Sequence, residues 1–387
     1  MKKILTVLMM FALLAACLTT AFAEEATDKD GNGVITIGVT FPVTDEPLAA
    51  NSAVYGIEIA VDEINEAGGI LGMPVEMIVE DMGLNPDTAL NAVNKLIARG
   101  DVDAIIGLNY STCALACEST INEAGIPAMI GASSPKLAEI ENAYIFRVRC
   151  SDTFMTKIAL SYLMDTGAIA EGSKLGVLYN NNDFGIGGYE EIEEACAAQN
   201  IELFGEAYNS SDSDCSGQVL KLIGNEIDAL IVWSDAPSVP VAARAITELG
   251  VSCPIIGSAP CAQNSVLSTC PDWVNGWYTV ADVCLSSTEE DILEFFDKWD
   301  ALHSRDELTF DAPIYYSATY LLADAFERAG SADTQALIDA LNATEGVEGL
   351  TGTYSKFDNI EMLSNAAIQQ IVDGELVFIG TADGRNI

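Results

Sequence analysis

The sequence predicts an α/β protein made of two doubly wound, parallel-sheet lobes. Two observations carry that prediction. From residue 34 onward, β-branched runs alternate with amphipathic helical segments. The alternation passes through two cycles, one ending near Cys150 and the other near Ala259, which is a weak twofold repeat of architecture. Length agrees: 387 residues are too many for one average domain and about right for two.

In the first cycle, Val34 to Thr40 is a β-branched strand. Between Ala50 and Ala67, Val54, Ile57, Val61 and Ile64 share one helical face, and Gly68-Gly69 stops the helix. Val75 to Val79 is the next strand. Asn85 caps a helix that has Pro86 at its first position, and Gly100 ends it. Ala104 to Ile106, Ser111 to Ala124 and Pro127 to Ile130 follow as strand, helix and strand. After a helix at Asp152 to Met164 the cycle restarts. Its strands are Leu175 to Tyr179, Ile201 to Tyr208, Ala229 to Trp233 and Pro254 to Ile256. Its helices are Phe184 to Gln199, Ser216 to Ile223 and Val239 to Leu249. Such alternation builds parallel sheets covered by helices on both faces. Glu289 to Gly346 reads as mostly helical, and the tail as strands with a turn at Asp373-Gly374, so these pieces complete the two lobes.

The start of the chain has a different character. Lys2 and Lys3 precede an apolar run from Ile4 to Ala16 and then small residues, the order of a secretory signal peptide over residues 1–23. The run is shorter than the ~20 apolar residues that span a bilayer. Ala21-Phe22-Ala23 suits ordinary cleavage before Glu24, whereas Leu14-Ala15-Ala16-Cys17 suits lipoprotein processing, with lipidation of Cys17. Both routes stay open, and both place the protein outside the cytoplasm.

The 17 basic against 58 acidic residues exclude nucleic acid as a partner, because no Lys/Arg cluster exists to displace phosphate counterions. The excess acid reads as a solvated surface that keeps an exported protein soluble. Of ten cysteines, Cys253, Cys261, Cys270 and Cys284 could bridge in an oxidising compartment or serve as small buried residues. Cys113 and Cys117 stand four apart, but a zinc site usually needs four ligands and the sole histidine, His303, is distant. Asp28 to Ile35 imitates the first part of a calcium loop, yet its twelfth position is Val39 and a strand follows. No Gly-x-Ser-x-Gly elbow or Ser–His–Asp set supports catalysis, so no enzyme and no cofactor are expected.

In open parallel sheets, ligands bind beyond the carboxyl ends of the strands. That rule selects residues 42–51, 109–111 and 131–135 in the first lobe, and 180–184, 233–237 and 257–261 in the second. Ser111 opens a helix whose free N–H groups favour a carboxylate, Ser133 adds a hydroxyl, and Tyr110 an aromatic wall. Across the cleft, Phe184 can stack on a ligand and Asp235 offers a negative charge, a pairing that suits a zwitterion such as an amino acid. Each residue also has a plainer reading: Ser111, Ser133 and Asp235 as helix caps, Phe184 as core.

The order Phe41-Pro42-Val43-Thr44, GIEIAVDEINEAGGILGMPVEMIVED from Gly56, Ile105-Ile106-Gly107 and AGIPAMIGASSP resembles the branched-chain amino-acid type of periplasmic binding protein, over nearly the whole chain after residue 34. The resemblance implies a Venus-flytrap fold with three crossovers, residues 34–151 plus 281–355 forming one lobe and 152–280 plus 356–387 the other. It implies a monomer that captures a small molecule and delivers it to an ABC permease, the alternative being a sensory protein that works with a membrane receptor. It places ligand contacts on Ser111, Ala132 and Ser133, with Phe184 as the covering aromatic. Two positions depart from the pattern. The acid that grips an ammonium should fall near Ser258 or Ala259, neither of which is acidic, so Asp235 is the substitute. Asn51 stands where an aromatic often touches the ligand side chain.

Overall fold

The computed structural model describes residues 31–387, so the signal segment and Cys17 lie outside the described residues. The first cycle folds as β1 (Ile35–Phe41), α1 (Pro47–Glu66), β2 (Val75–Asp81), α2 (Pro86–Arg99), β3 (Ala104–Gly107), α3 (Ser111–Ala124), β4 (Ala128–Ile130) and β5 (Ile145–Arg147). Its five strands are all parallel, in the order β2-β1-β3-β4-β5. Every residue of β1 is buried because helices cover both faces of the sheet, which is why its sequence is a continuous β-branched run. Local chemistry sets the helix ends as the sequence predicts. The Asn85 side chain accepts from the Asp87 N–H, and Gly100 takes the left-handed conformation that a residue with a Cβ resists.

The second cycle begins with α4 (Asp152–Asp165) and continues as β6 (Lys174–Asn180), α5 (Asp183–Ala198), β7 (Glu202–Tyr208), α6 (Ser216–Gly224), β8 (Ala229–Trp233), α7 (Val239–Glu248), β9 (Ile255–Gly257) and β10 (Tyr278–Ala281). The order β7-β6-β8-β9-β10 reproduces that of the first sheet position by position. Two further strands, β13 (Asn365–Val372) and β14 (Glu375–Asp383), extend this sheet antiparallel from β10, with their turn at Asp373-Gly374. The last quarter supplies α8 (Glu290–Leu302), α9 (Asp311–Ala329), α10 (Thr334–Asn342) and the small pair β11 (Val347–Gly349) and β12 (Gly352–Tyr354).

Helix α9 lies along α1 so closely that a Cβ on Gly56 would come within 2.4 Å of the Ala312 carbonyl oxygen. The contact is reinforced by Tyr316 and Tyr320, whose hydroxyls both donate to the Glu63 carboxylate. Residues 311–329 therefore pack against the first helix that follows β1.

Two buried ion pairs pin the chain where it passes between the sheets. Arg147 Nη1 reaches Glu361 Oε1 at 2.6 Å, and Arg149 meets Asp282 through two hydrogen bonds, with the Cys150 N–H on the same carboxylate at 3.1 Å. All nine cysteines among the described residues are free thiols, eight of them buried, which is the small-residue reading and not the bridged one. Val39 belongs to β1, so the apparent calcium loop runs directly into a strand.

Candidate functional site

One cavity lies where the carboxyl ends of the two sheets face each other. It leaves about 40 Å³ for the centres of water-sized groups, against ~10–15 Å³ for a single water. The lobes touch beside it. The Ser134 hydroxyl donates to the Asp183 carbonyl at 3.2 Å across the gap. A Cβ on Gly187 would lie 2.9 Å from Pro135 Cδ, and one on Gly188 only 2.2 Å from the Trp233 ring. The Gly185-Ile186-Gly187-Gly188 run thus serves close approach, both between the lobes and of α5 to β8.

On the first wall, α3 begins at the cavity with Tyr110 as its N-cap, and no side chain caps its first turn. This leaves the positive end of a 14-residue helix at the cleft. Ser111 Oγ accepts the Ser134 N–H at 3.2 Å and so ties the loop after β3 to the loop after β4. Arg147 holds the second loop from behind, donating to the Ser134 carbonyl at 2.7 Å. Ser133 faces the cavity while its hydroxyl donates to Asp152 Oδ2 at 3.2 Å.

The second wall is built on asparagines at the end of β6. Asn180 Oδ1 accepts the Asp235 N–H at 2.7 Å, and Asn182 Nδ2 donates to Asp235 Oδ2 at 2.5 Å while its own Oδ1 caps α5. Asp235 is thereby aimed at the cavity and is not spent on capping its own helix. Phe184 also lines the cavity and stacks on Trp233, with ring centroids 6.1 Å apart.

The structure thus brings together five of the residues selected from sequence: Tyr110, Ser111, Ser133, Phe184 and Asp235. It places three elsewhere. Ala132 is buried in the core beneath α3, and Asn51 sits on α1 away from the lining. Ser258 is fully buried, and its hydroxyl both accepts from the Ser234 N–H and donates to the Ser234 carbonyl, so it clamps two loops of its own lobe. Its neighbours Ala259 and Pro260 line the cavity instead.

Sequence reasoning missed Arg149, Asp152, Gln263, Phe310 and Asp311, all of which line the cavity. The signal for two of them is the run Phe146-Arg147-Val148-Arg149-Cys150-Ser151-Asp152. Two arginines inside an apolar run of so acidic a chain must find buried carboxylates.

The electrostatics are lopsided. Burial pushes the carboxyls of Asp235 and Asp311 up to about 6 and that of Asp152 up to about 7. Glu46, hydrogen-bonded to Tyr110 behind the lining, rises to about 7, first through burial and then through the nearby charges of Asp311, Asp235 and Asp45. Arg149 stays charged despite its burial because Asp282, Asp311 and Asp152 surround it. Among the described residues no group of His, Cys, Asp or Glu is arranged to hold a metal ion.

A family model described as periplasmic binding protein matches residues 34–375. The chain belongs to that family. Its members are solute-binding proteins exported to the periplasm, not enzymes. Relatives of this periplasmic binding protein include the Leu/Ile/Val-binding protein BraC3 of Rhizobium johnstonii, 25% identical over 338 residues that cover 85% of this chain and 89% of that one. In fold it is similar to the leucine-binding protein LivK of Thermotoga maritima (TM-score 0.83, 20% identity, 91% of this chain and all of that one). It matches equally the substrate-binding protein of a fatty acid ABC transporter from Thermomonospora curvata (TM-score 0.83, 20% identity, 94% and 98% covered). These likenesses span ligands of very different chemistry, so they speak to fold and family. No helix among the described residues is long and apolar enough to cross a membrane.

Proposed function

We propose that this periplasmic binding protein captures an amino acid, or a related small carboxylate or amide, between its lobes and delivers it to an ABC permease. The observation that carries the reading is the opposition of two walls. The uncapped start of α3, with Ser111 and Ser133, faces Asp235 and Phe184 across the cavity. A carboxylate suits the first wall and an ammonium the second. The relatives' printed ligands, branched-chain amino acids among them, support the same class. We assign residues 34–151 plus 281–355 to one lobe and 152–280 plus 356–387 to the other. The protein works as a monomer at the outer face of the membrane, with Cys17 as the lipid attachment point if the lipoprotein route is taken.

Binding of this kind needs two or three charge-assisted hydrogen bonds of about 1.5–3 kcal/mol each. Less the cost of ordering, that is consistent with a Kd on the order of micromolar. The test is a thermal-shift screen of the mature protein against amino acids, amides, urea and aromatic acids. A ligand raises the melting temperature by mass action. Silence across the whole screen would remove the capture reading.

A further inference from the structure

The cavity carries more acceptors than a simple zwitterion can use. Its charged lining is Asp152, Asp235, Asp311 and Arg149. Arg149 is engaged by Asp282 through two hydrogen bonds, at 3.2 and 2.5 Å, and its one charge, close to Asp311 and Asp152 as well, cannot balance them all. Asp235 and Asp152 belong to elements of the second lobe, Asp311 and the underlying Glu46 to the first. Closing the lobes therefore drives carboxylates toward one another, an arrangement that costs free energy unless a cation enters between them.

One buried oxygen of the lining points the same way. Asp152 is 1% exposed and is served within the protein, its Oδ2 by the Ser133 hydroxyl and its other oxygen by the Trp233 indole. Asn109 Oδ1, also in the lining residues, is buried without a hydrogen bond. It is an acceptor to which an occupant of the cavity can bring a donor. The rings of Tyr110, Phe184 and Phe310 also line the cavity, and aromatic faces attract ammonium and guanidinium groups. The carboxylates are not grouped as metal ligands are, so the cation is an organic one with its donors spread along its length.

We infer that the ligand is a small aliphatic amine with net positive charge, such as a basic amino acid or a diamine, and not a branched-chain amino acid. This inference rests on the capture reading above. One ammonium meets Asp235, and a second ammonium or guanidinium is shared by Asp311 and the acceptors near Asp152. A carboxylate, when present, takes the start of α3.

The test is titration calorimetry of the mature protein at pH 8 with L-lysine, L-arginine, putrescine, L-leucine, acetamide and benzoate. At least one of the three cations should bind tenfold or more tightly than leucine. In Asp311→Asn and in Asp235→Asn that preference should shrink at least tenfold, with circular dichroism confirming that both variants fold. Lowering the pH from 8 to 5.5 should weaken the cation in parallel. The groups that titrate or hold charge around it are Glu46 with Asp45 beside it, Asp152, Asp235 and Asp311. Asp282 and Arg149 remain paired, and Tyr110 remains neutral. Leucine binding as tightly as every cation would overturn this inference and leave capture standing. An undiminished preference in both variants would overturn the site assignment. No binding by any compound would overturn this inference and the capture reading together.

Discussion

The loops after β3 and after β8 occupy the same station in two sheets of identical strand order, yet they face the cleft with opposite chemistry. After β3 stand Asn109, Tyr110 and Ser111, at an uncapped helix start. After β8 stand Ser234, Asp235 and Ala236, with the carboxylate held out by Asn180 and Asn182. The next loops diverge in the same manner: Ser133 faces the cavity, whereas Ser258 turns its hydroxyl back onto Ser234. A repeated topology therefore delivers loops to one place without dictating what they carry. Function lives in those few side chains and not in the repeat.

The comparison can be broken most directly on the acidic side. Asp235→Ala removes the one carboxylate presented by its loop. It should weaken ligand binding by about 10- to 150-fold, the equivalent of about 1.5–3 kcal/mol for a charge-assisted bond, read by calorimetry. Gly187→Leu attacks the closure that brings the loops together, since even a Cβ would press on Pro135 and Ser134. An affinity loss of roughly tenfold is expected, because the competent closed state becomes scarce. Small-angle scattering of the variant should show a larger radius of gyration with ligand than the parent shows. An unchanged radius would mean that the lobes close without this contact.

The donor side should respond more gently, because its strongest element is backbone. Ser111→Ala and Ser133→Ala should each reduce affinity only several-fold, corresponding to about 0.5–1.5 kcal/mol per neutral hydrogen bond. Parent-like thermal shifts in both variants would remove the serines from the site. The smallest effect concerns the empty protein. The carboxyls of Asp235, Asp311, Asp152 and Glu46 titrate above their ordinary range, so protons bind the folded state more tightly than the unfolded one. Ligand-free stability should therefore fall as pH rises through about 6–7. The melting temperature should be a few degrees higher at pH 5.5 than at pH 8, by the ordinary conversion of ~1 kcal/mol. Asp235→Asn should flatten that slope, and an equally steep slope in the variant would assign it to surface charge instead.

Much of this organisation is legible in the residues. Long strands and helices announce themselves by period, and Asn85, Gly100 and Asp373-Gly374 mark ends that the structure keeps. The strands β5 and β10 do not. Each has only three or four residues, is almost wholly buried and follows irregular chain, so no alternation distinguishes it from a loop. The site divides along the same line. Tyr110, Ser111, Ser133, Phe184 and Asp235 follow strands and are found by the rule for parallel sheets. Arg149 and Asp152 follow the short strand β5 and Asp311 opens α9, so only the fold brings them to the cavity.

The pairing of α9 with α1 has a consequence for how such a chain is made. Tyr316 and Tyr320 reach back to Glu63, and the Thr309 N–H to the Ser52 hydroxyl, over some two-thirds of the sequence. Likewise β13 must arrive before β10 has its outer neighbour. A polypeptide that emerges N-terminus first cannot finish either half until its last quarter is available, and such distant closures are slow. Truncation just before Asp311 should abolish the cooperative melting of the first half. In the full chain, neither half has its complete packing until almost all of the polypeptide has been synthesised.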